Sequence, residues 1–241
     1  SSNLNVSFSP DASGGFYAIG GHQQVIESDH DNDGNPEPVF LSNIQSNYST
    51  SIVWADWTAS GGITTSAPIQ TCDNASSISV GDINGDGADD IVSFSLNTGM
   101  ACIHMANGSS YDPLQNQTVS SGLIAAELGD IDSDGVAEII SISSGGSLSY
   151  QSWNNSTGLS YVSNQTVEMN GSAGMPAGLT SLYVGDFFGT GDTSALIMDQ
   201  TGHWTLWQDF NGMWGGPITR FDDISMAEML ADLDGDGDLD V

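Results

Sequence analysis

Five acidic, glycine-containing segments recur along the chain and constrain its fold more than any other feature. Loops 1 to 5 are DHDNDGNPE from Asp29, DINGDGADD from Asp82, DIDSDGVAE from Asp130, DFFGTGDTS from Asp186 and DLDGDGDLD from Asp232. Their starting points are 53, 48, 56 and 46 residues apart. One motif per unit of roughly 50 residues indicates a repeat architecture. We therefore predict a single domain over residues 1–241, built from these units.

The spacing of oxygen-bearing residues in these loops favours a bound metal ion. Carboxylates at positions 1, 3 and 5, a backbone carbonyl at position 7 and an acid at position 9 can surround one cation, while glycine at position 6 allows a sharp turn. This ligand set suits Ca²⁺ better than Mg²⁺ or Zn²⁺. The predicted ligands are Asp29, Asp31, Asp33, Asn35 and Glu37 in loop 1; Asp82, Asn84, Asp86, Ala88 and Asp90 in loop 2; Asp130, Asp132, Asp134, Val136 and Glu138 in loop 3; and Asp232, Asp234, Asp236, Asp238 and Asp240 in loop 5.

Loop 4 departs from this pattern. Phe188 and Thr190 stand at positions 3 and 5, and Ser194 replaces the acid at position 9, so only Asp186 survives as a strong ligand, with Asp192 nearby. We predict that loop 4 keeps its turn but binds Ca²⁺ poorly or not at all. The whole chain is then expected to hold about four Ca²⁺ ions, one in each complete loop.

The residues around the loops predict strands. An EF-hand needs glutamate at position 12, where loops 1 to 4 have Phe40, Ser93, Ser141 and Ile197. Short runs rich in β-branched residues precede and follow the loops, and a further strand pair follows each hairpin. Four-stranded units in tandem are the blades of a β-propeller. We predict an all-β propeller of about five blades, or part of a larger one, with a Ca²⁺-stapled hairpin loop in each repeat.

The segments SVGDINGDGADDIVSF and LGDIDSDGVAEIISI resemble the FG-GAP/VCBS-type calcium-binding repeats. Such repeats build the propellers of integrin α-subunit heads and of many microbial surface proteins. The resemblance extends over residues 20–241 and implies a Ca²⁺-stapled propeller outside the cytoplasm. It implies no single activity, because the family includes adhesion modules, lectin-like proteins and accessory domains of polysaccharide-degrading enzymes.

The charge of the chain excludes several classes of partner. Thirty-one acidic residues face one cationic residue, Arg220, which gives a formal net charge of −30. Such a chain repels nucleic acids and anionic membrane surfaces, so metal ions are the expected counter-charge. No run of apolar residues reaches the length that a membrane-spanning helix needs.

Asparagine sequons and cysteines indicate an extracellular or cell-surface location. Chance would give about three N-x-S/T sequons, and nine are present, which favours N-glycosylation. They begin at Asn5, Asn47, Asn74, Asn107, Asn116, Asn154, Asn155, Asn164 and Asn170. Asn154 and Asn155 are adjacent, so crowding should allow one glycan there at most. Cys72 and Cys102 are either two buried thiols or a disulfide, and the sequons favour the disulfide.

No recognisable catalytic set is present, and we predict that the protein is not an enzyme. None of His22, His30, His104 and His203 lies in a G-x-S-x-G or H-E-x-x-H motif. Each is expected to be structural or exposed, and His30, at position 2 of loop 1, is expected to point outward. The acids outside the loops, Glu127 among them, form no known motif.

Two functional hypotheses follow. The first is a structural or adhesive surface glycoprotein, including the case of a repeating subunit of a filament or coat. The second is a carbohydrate-binding, lectin-like propeller or an accessory module of a glycan-degrading enzyme, with Trp57 or Trp153 stacking on sugar; the alternative role of these tryptophans is packing between blades. The partners are accordingly other copies of the chain, arranged head to tail, or surface proteins and glycans.

The chain stops one residue into the second strand of its fifth unit, at Val241. Three explanations stay open. The segment LNVSFSP near the N-terminus completes the last blade, a neighbouring copy donates the strand, or the natural protein continues.

Overall fold

The computed structural model describes residues 22–44, 49–57, 63–108, 110–166, 179–188, 190, 193–199, 204–209 and 214–221. Within these ranges the chain forms seventeen strands in four antiparallel sheets and no helix. No described segment is therefore a helix of the length and apolarity needed to cross a membrane. The predicted all-β fold is confirmed for this part of the chain.

Each sheet is one sequence repeat. Sheet 1 contains β1 (His22–Ser28), β2 (Glu37–Ile44), β3 (Ser49–Trp57), β4 (Ile63–Thr65) and β5 (Ile69–Gln70). Sheet 2 contains β6 (Ser77–Gly81), β7 (Asp90–Ser95), β8 (Met100–His104) and β9 (Gln115–Thr118). Sheet 3 contains β10 (Leu123–Gly129), β11 (Glu138–Ser143), β12 (Ser147–Asn154) and β13 (Gly158–Thr166). Sheet 4 contains β14 (Leu179–Gly185), β15 (Ser194–Asp199), β16 (Trp204–Asp209) and β17 (Trp214–Phe221).

The strands of each sheet pair in chain order, and an acidic loop joins the first two. Loops 1 to 4 connect β1 to β2, β6 to β7, β10 to β11 and β14 to β15. The predicted arrangement of one loop and about four strands per unit is confirmed for these four repeats. In sheet 1 the outermost position is divided, because β4 and β5 both pair with β3. Loop 5 lies outside the described residues.

The hydrophobic core lies between consecutive sheets. Val39 and Leu41 of sheet 1 share one cluster with Ile91 of sheet 2, while Phe94 of sheet 2 shares another with Ile139 of sheet 3. The second strands β7, β11 and β15 are buried at every position, and both β7 and β11 have a described sheet packed on each of their faces. The first strands lie side by side, β1 next to β6, β6 next to β10 and β10 next to β14. Sheets stacked face to face in this order form a propeller-like arrangement.

The glycine that precedes loop 3 is required by this stacking. A Cβ atom on Gly129 would lie 2.5 Å from Val184 Cγ1 and 3.0 Å from Thr193 Cγ2 of the next sheet. Gly81, at the matching place before loop 2, would bring its Cβ to 3.0 Å from the Cβ of Ala137. The glycine directly before the first aspartate of loops 2 and 3 therefore allows neighbouring sheets to approach closely.

Side chains also link the first strands of neighbouring sheets. Gln24 on β1 exchanges two hydrogen bonds of 2.8 Å with the backbone of Ile78. Ser79 on β6 accepts a hydrogen bond from the backbone N–H of Leu128 at 2.9 Å. Glu127 on β10 accepts one from the N–H of Val184 at 3.2 Å, and burial raises the pKa of its carboxyl to about 7. Glu127 is thus a partly buried acid that ionises at a cost to the fold.

We expect Glu127→Gln to stabilise the protein at pH 8 by about 1–2 kcal/mol and to have little effect at pH 4.5. Because the pKa is raised in the folded protein, the contribution of Glu127 to the free energy of unfolding is fully present below its unfolded pKa. That contribution is lost as the pH rises through about 7 and the carboxyl ionises. Glutamine keeps the acceptor for Val184 and never ionises. Urea unfolding of the variant and the wild type at both pH values measures the difference. Ser79→Ala, which has no titrating group, is the control, and a difference independent of pH would contradict the assignment.

Candidate metal site

Loops 1 to 3 each wrap backbone N–H groups around the carboxylate at position 1. Both oxygens of that aspartate accept hydrogen bonds from residues three to five positions further on. The bonds are Asp33 N and Gly34 N to Asp29 at 3.0 Å each, Gly85 N and Gly87 N to Asp82 at 2.7 Å each, and Asp134 N and Gly135 N to Asp130 at 3.0 and 2.9 Å. The first aspartate therefore organises the turn and still has lone pairs for a cation.

Two left-handed residues give the loops their shape. The glycines at position 6, Gly34, Gly87 and Gly135, have φ of 85°, 88° and 90°. Position 4 also has positive φ, at 55° in Asn32, 78° in Gly85 and 60° in Ser133. Asparagine and glycine tolerate this conformation best, which explains their recurrence at the two positions.

The structure brings three carboxylates together in two of the loops. Oxygens of Asp29, Asp31 and Asp33 in loop 1 lie within 4.8 Å of one another, as do oxygens of Asp130, Asp132 and Glu138 in loop 3. Oxygens at such separations can share one divalent cation, so both loops fit Ca²⁺. Among the described residues loop 2 has no such group, since Asn84 takes position 3 and its amide nitrogen lies 3.2 Å from Asp90 Oδ2.

The remaining predicted ligands of these loops form the turn. The position 5 carboxylate accepts a hydrogen bond from the N–H of position 7: Asn35 to Asp33 at 2.8 Å, Ala88 to Asp86 at 2.9 Å and Val136 to Asp134 at 2.9 Å. The carbonyls of Asn35, Ala88 and Val136 stay predicted ligands. Asp232, Asp234, Asp236, Asp238 and Asp240 lie outside the described residues.

The position 9 acids are buried close to like charges. Glu37, Asp90 and Glu138 are 3%, 0% and 3% exposed. Burial, followed by repulsion from carboxylates of the same loop and nearby, raises the pKa of each to about 7. In loop 2 burial prevails although Ile83 and Ala106 donate backbone hydrogen bonds to Asp90. A divalent cation would remove the repulsion and favour the ionised acids.

Loop 4 retains the first part of this arrangement. Asp186 Oδ1 accepts hydrogen bonds from the N–H groups of Phe188 and Thr190 at 3.1 and 3.2 Å. Phe188 occupies position 3 with 41% of its surface exposed, and Ser194 at position 9 is buried. The turn around Asp186 is present, while the surrounding carboxylates are replaced.

The expectation that His30 points outward is wrong. His30 is 1% exposed, and its Nδ1 lies 3.0 Å from Glu37 Oε2. Its ring centroid lies 5.5 Å from that of Tyr111 and 5.7 Å from that of Trp54. Tyr111, which follows β8 of the next sheet, covers the loop and turns position 2 into a core position. His104 is also buried, between the carbonyls of Gln70 and Asp112.

Adjacent loops bind one another through residues that the sequence motif did not reveal. The carbonyl of Asp29 accepts a hydrogen bond from Asp89 N at 3.1 Å, and Asp29 N donates to Asp89 Oδ2 at 2.8 Å. The carbonyl of Asp82 accepts one from Ala137 N at 2.7 Å. Asp89 and Ala137 share position 8, next to the buried acid at position 9. Burial raises the pKa of Asp89, with Asp29 and Asp82 adding repulsion.

The predicted disulfide is present. Cys72, in the connection between sheets 1 and 2, is bonded to Cys102 on β8, with the Cα atoms 5.4 Å apart and a sequence separation of 30. Both residues are buried in the cluster between the two sheets. The bond closes a stretch of chain that contains the β6–β7 hairpin and loop 2.

All five sequon asparagines whose side chains are described lie on the surface. They are Asn74, Asn107, Asn116, Asn154 and Asn155. Asn164 lies on β13, whereas Asn5, Asn47 and Asn170 lie outside the described residues. Glycosylation of all nine stays a prediction.

The tryptophans with described side chains pack against the core to different degrees. Trp54 and Trp207 are buried between sheets, as the packing alternative expects. Trp153 packs at the margin of the cluster between sheets 2 and 3, and its Nε1 donates a hydrogen bond to Asn155 Oδ1 at 2.8 Å. Trp57 is the last residue of β3.

Comparisons with known proteins support the same repeat type. Residues 8–93, which include loops 1 and 2, match the model of the FG-GAP-like repeat. No curated protein sequence matches the chain significantly.

A solved structure of an Agrocybe aegerita lectin, described as specifically recognising non-reducing terminal N-acetylglucosamine, aligns with 80% of this chain at 16% identity and a TM-score of 0.50. The alignment covers 50% of the lectin chain, so this chain spans about half the length of that protein. At this identity the match shows the fold alone. The resemblance to FG-GAP-type repeats is therefore confirmed for residues 8–93 and implies a propeller-like fold.

Proposed function

We propose that the protein is an extracellular, calcium-binding and N-glycosylated surface protein with a structural or adhesive role. The observation that carries this proposal is the repeated acidic loop: three carboxylates converge in loop 1 and in loop 3, and a buried acid at position 9 lies close to like charges. Ca²⁺ would be held by the carboxylates at positions 1, 3, 5 and 9, with the carbonyl of position 7, and would fix the first hairpin of each sheet that has a complete loop.

Features that are independent of the acidic loops support the extracellular location in this proposal. The disulfide between Cys72 and Cys102 is stable in an oxidising environment. FG-GAP repeats are typical of extracellular proteins, and nine sequons are available for glycans. The proposal includes no catalytic role: His30 and His104 are buried in structural contacts.

Replacing one loop aspartate tests the metal assignment. We expect Asp134→Ala to remove or weaken one Ca²⁺ site, because it deletes the position 5 ligand of loop 3, lowering that affinity at least about tenfold. Asp186→Ala is the matched control in the degenerate loop 4 and should leave the number of ions and their affinities unchanged. Isothermal titration calorimetry of calcium-depleted protein measures both. A titration of the Asp134 variant identical to the wild type would contradict the ligand assignment.

Carbohydrate binding is the second candidate function, and the shared fold with the Agrocybe aegerita lectin favours it. On this hypothesis an exposed aromatic ring would stack on a sugar, and Trp57 and Trp153 are the predicted residues. A glycan array that includes terminal N-acetylglucosamine, repeated with Trp57→Ala and Trp153→Ala, tests it. Binding that is lost in either variant would support a lectin, whereas an array without binding would leave the structural role.

A further inference from the structure

The outermost strands of sheets 2 and 3 carry the same sequon at the same place in the repeat. Asn116 lies 34 residues after Asp82, the start of loop 2, and Asn164 lies 34 residues after Asp130, the start of loop 3. Both begin the segment NQTV. Asn116 is on β9 and Asn164 is on β13. Two sequons that share both a position in the repeat and the segment NQTV are a more specific pattern than the other sequons form.

Among the described strands these two are sheet edges, and an edge strand offers backbone groups with which another chain can pair. Among the described strands β9 pairs with β8 alone and β13 with β12 alone. Gln115, Asn116 and Thr118 are exposed on β9. The Asn116 Oδ1 atom lies 3.0 Å from Cys102 Sγ, which carries no hydrogen because it is in the disulfide. The asparagine and the threonine of this sequon are therefore accessible on an edge that could pair with another sheet.

The other two sheets protect their outer edges by different means. Sheet 1 ends in β4 and β5, which are only 3 and 2 residues long. Sheet 4 ends in β17, which contains Pro217 and the single cationic residue of the chain, Arg220. Short strands, proline and basic residues are the usual features that prevent edge pairing. The strands β9 and β13 have 4 and 9 residues, so both are longer than β4 and β5, and neither contains proline or a charged residue.

We propose that N-glycans on Asn116 and Asn164 protect these two edges and keep the protein from associating through them. A branched glycan attached to the strand occupies the space that a second strand would need at about 4.8 Å. The proposal rests on the extracellular location put forward above. It also implies that any assembly of the protein uses a surface other than the outer edges of sheets 2 and 3.

The test is secretion of the protein from eukaryotic cells as wild type, as Asn116→Gln/Asn164→Gln and as Asn74→Gln/Asn107→Gln. The control pair removes two exposed sequons that lie outside the edge strands. Glycopeptide mass spectrometry is expected to find Asn116 and Asn164 occupied. Sedimentation velocity over a range of concentrations, with Ca²⁺ present, is expected to show self-association at least roughly tenfold tighter for the edge variant than for the wild type or the control.

A second edge variant separates loss of the glycan from loss of the asparagine. Thr118→Ala/Thr166→Ala keeps both asparagines but destroys both sequons and should associate as Asn116→Gln/Asn164→Gln does. Unoccupied asparagines, or edge variants that sediment as the wild type, would overturn the proposal. Calcium titration of the same samples reports on the proposed metal function separately, because neither sequon lies in an acidic loop.

Discussion

Chelation of calcium is expected to lower the thermal unfolding midpoint by about 15 °C or more. A ligand at one hundred times its dissociation constant stabilises the native state by about 2.7 kcal/mol per site, so the sites of loops 1 to 3 contribute about 8 kcal/mol even without that of loop 5. For a chain of this size, one kcal/mol shifts the midpoint by about 2–4 °C. The loops justify a large effect, because without a cation the carboxylates of Asp29, Asp31 and Asp33 face one another.

Calorimetry or circular dichroism in Ca²⁺, in excess EDTA and in EDTA already saturated with Ca²⁺ measures this effect. The saturated chelator controls for effects of EDTA other than metal removal. Mg²⁺ in place of Ca²⁺ is expected to restore only part of the stability, since the loops offer more ligands than an octahedral ion uses. A midpoint that is equal in all conditions would exclude calcium as a stabilising element of the fold.

The regular part of the architecture was predictable because local sequence determines it. The runs around loops 2 and 3 are short and β-branched, and they form β6, β7, β10 and β11 as expected. Glycine at position 6 has the positive φ that its turn requires, as Gly135 shows. These features depend on residues within a few positions of each other, so the sequence of a single repeat is enough to predict its strands and turns.

Contacts between repeats could not be predicted in the same way. The burial of His30 depends on Tyr111, which belongs to the next repeat and has no counterpart in the loop motif. The bonds of Asp89 to Asp29 likewise require the neighbouring sheets to be in place. The division of the outer strand of sheet 1 into β4 and β5 also has no clear signal in the repeat pattern.

The candidate metal site likewise has a part that the sequence of one repeat predicts and a part that depends on contacts between repeats. The sequence identified the carboxylates of loop 3, and the structure brings together Asp130, Asp132 and Glu138. It did not identify position 8, whose N–H in Ala137 bonds to the carbonyl of Asp82 in the preceding loop. The composition of one loop therefore predicts a ligand set, whereas the position of that loop against the next follows only from the packing of the sheets.

Removal of the disulfide by Cys72→Ala/Cys102→Ala is expected to lower the free energy of unfolding by about 3 kcal/mol, within a range of about 2–5 kcal/mol. The bond closes a loop with a sequence separation of 30, so it restricts the unfolded chain over that length. Both sulfurs are buried, and alanine would also leave small cavities in the core between sheets 1 and 2. Urea unfolding at fixed Ca²⁺ concentration measures the difference.

Reduction of the wild type in denaturant and refolding with reductant is the control for this variant. The reduced protein should be destabilised by a similar amount, while reductant should leave the alanine variant unchanged. A double variant as stable as the oxidised wild type would show that the bond contributes nothing net to the fold.

The disulfide and the calcium ions are expected to act independently, although both affect the β6–β7 hairpin. The disulfide acts mainly by restricting the unfolded chain, whereas Ca²⁺ binds the folded loops, so the two losses should add. Chelator should therefore lower the free energy of unfolding by the same amount in Cys72→Ala/Cys102→Ala as in the wild type. A smaller loss in the variant would mean that the disulfide also holds loop 2 in its calcium-binding form, since residues 82–90 lie inside the segment that it closes.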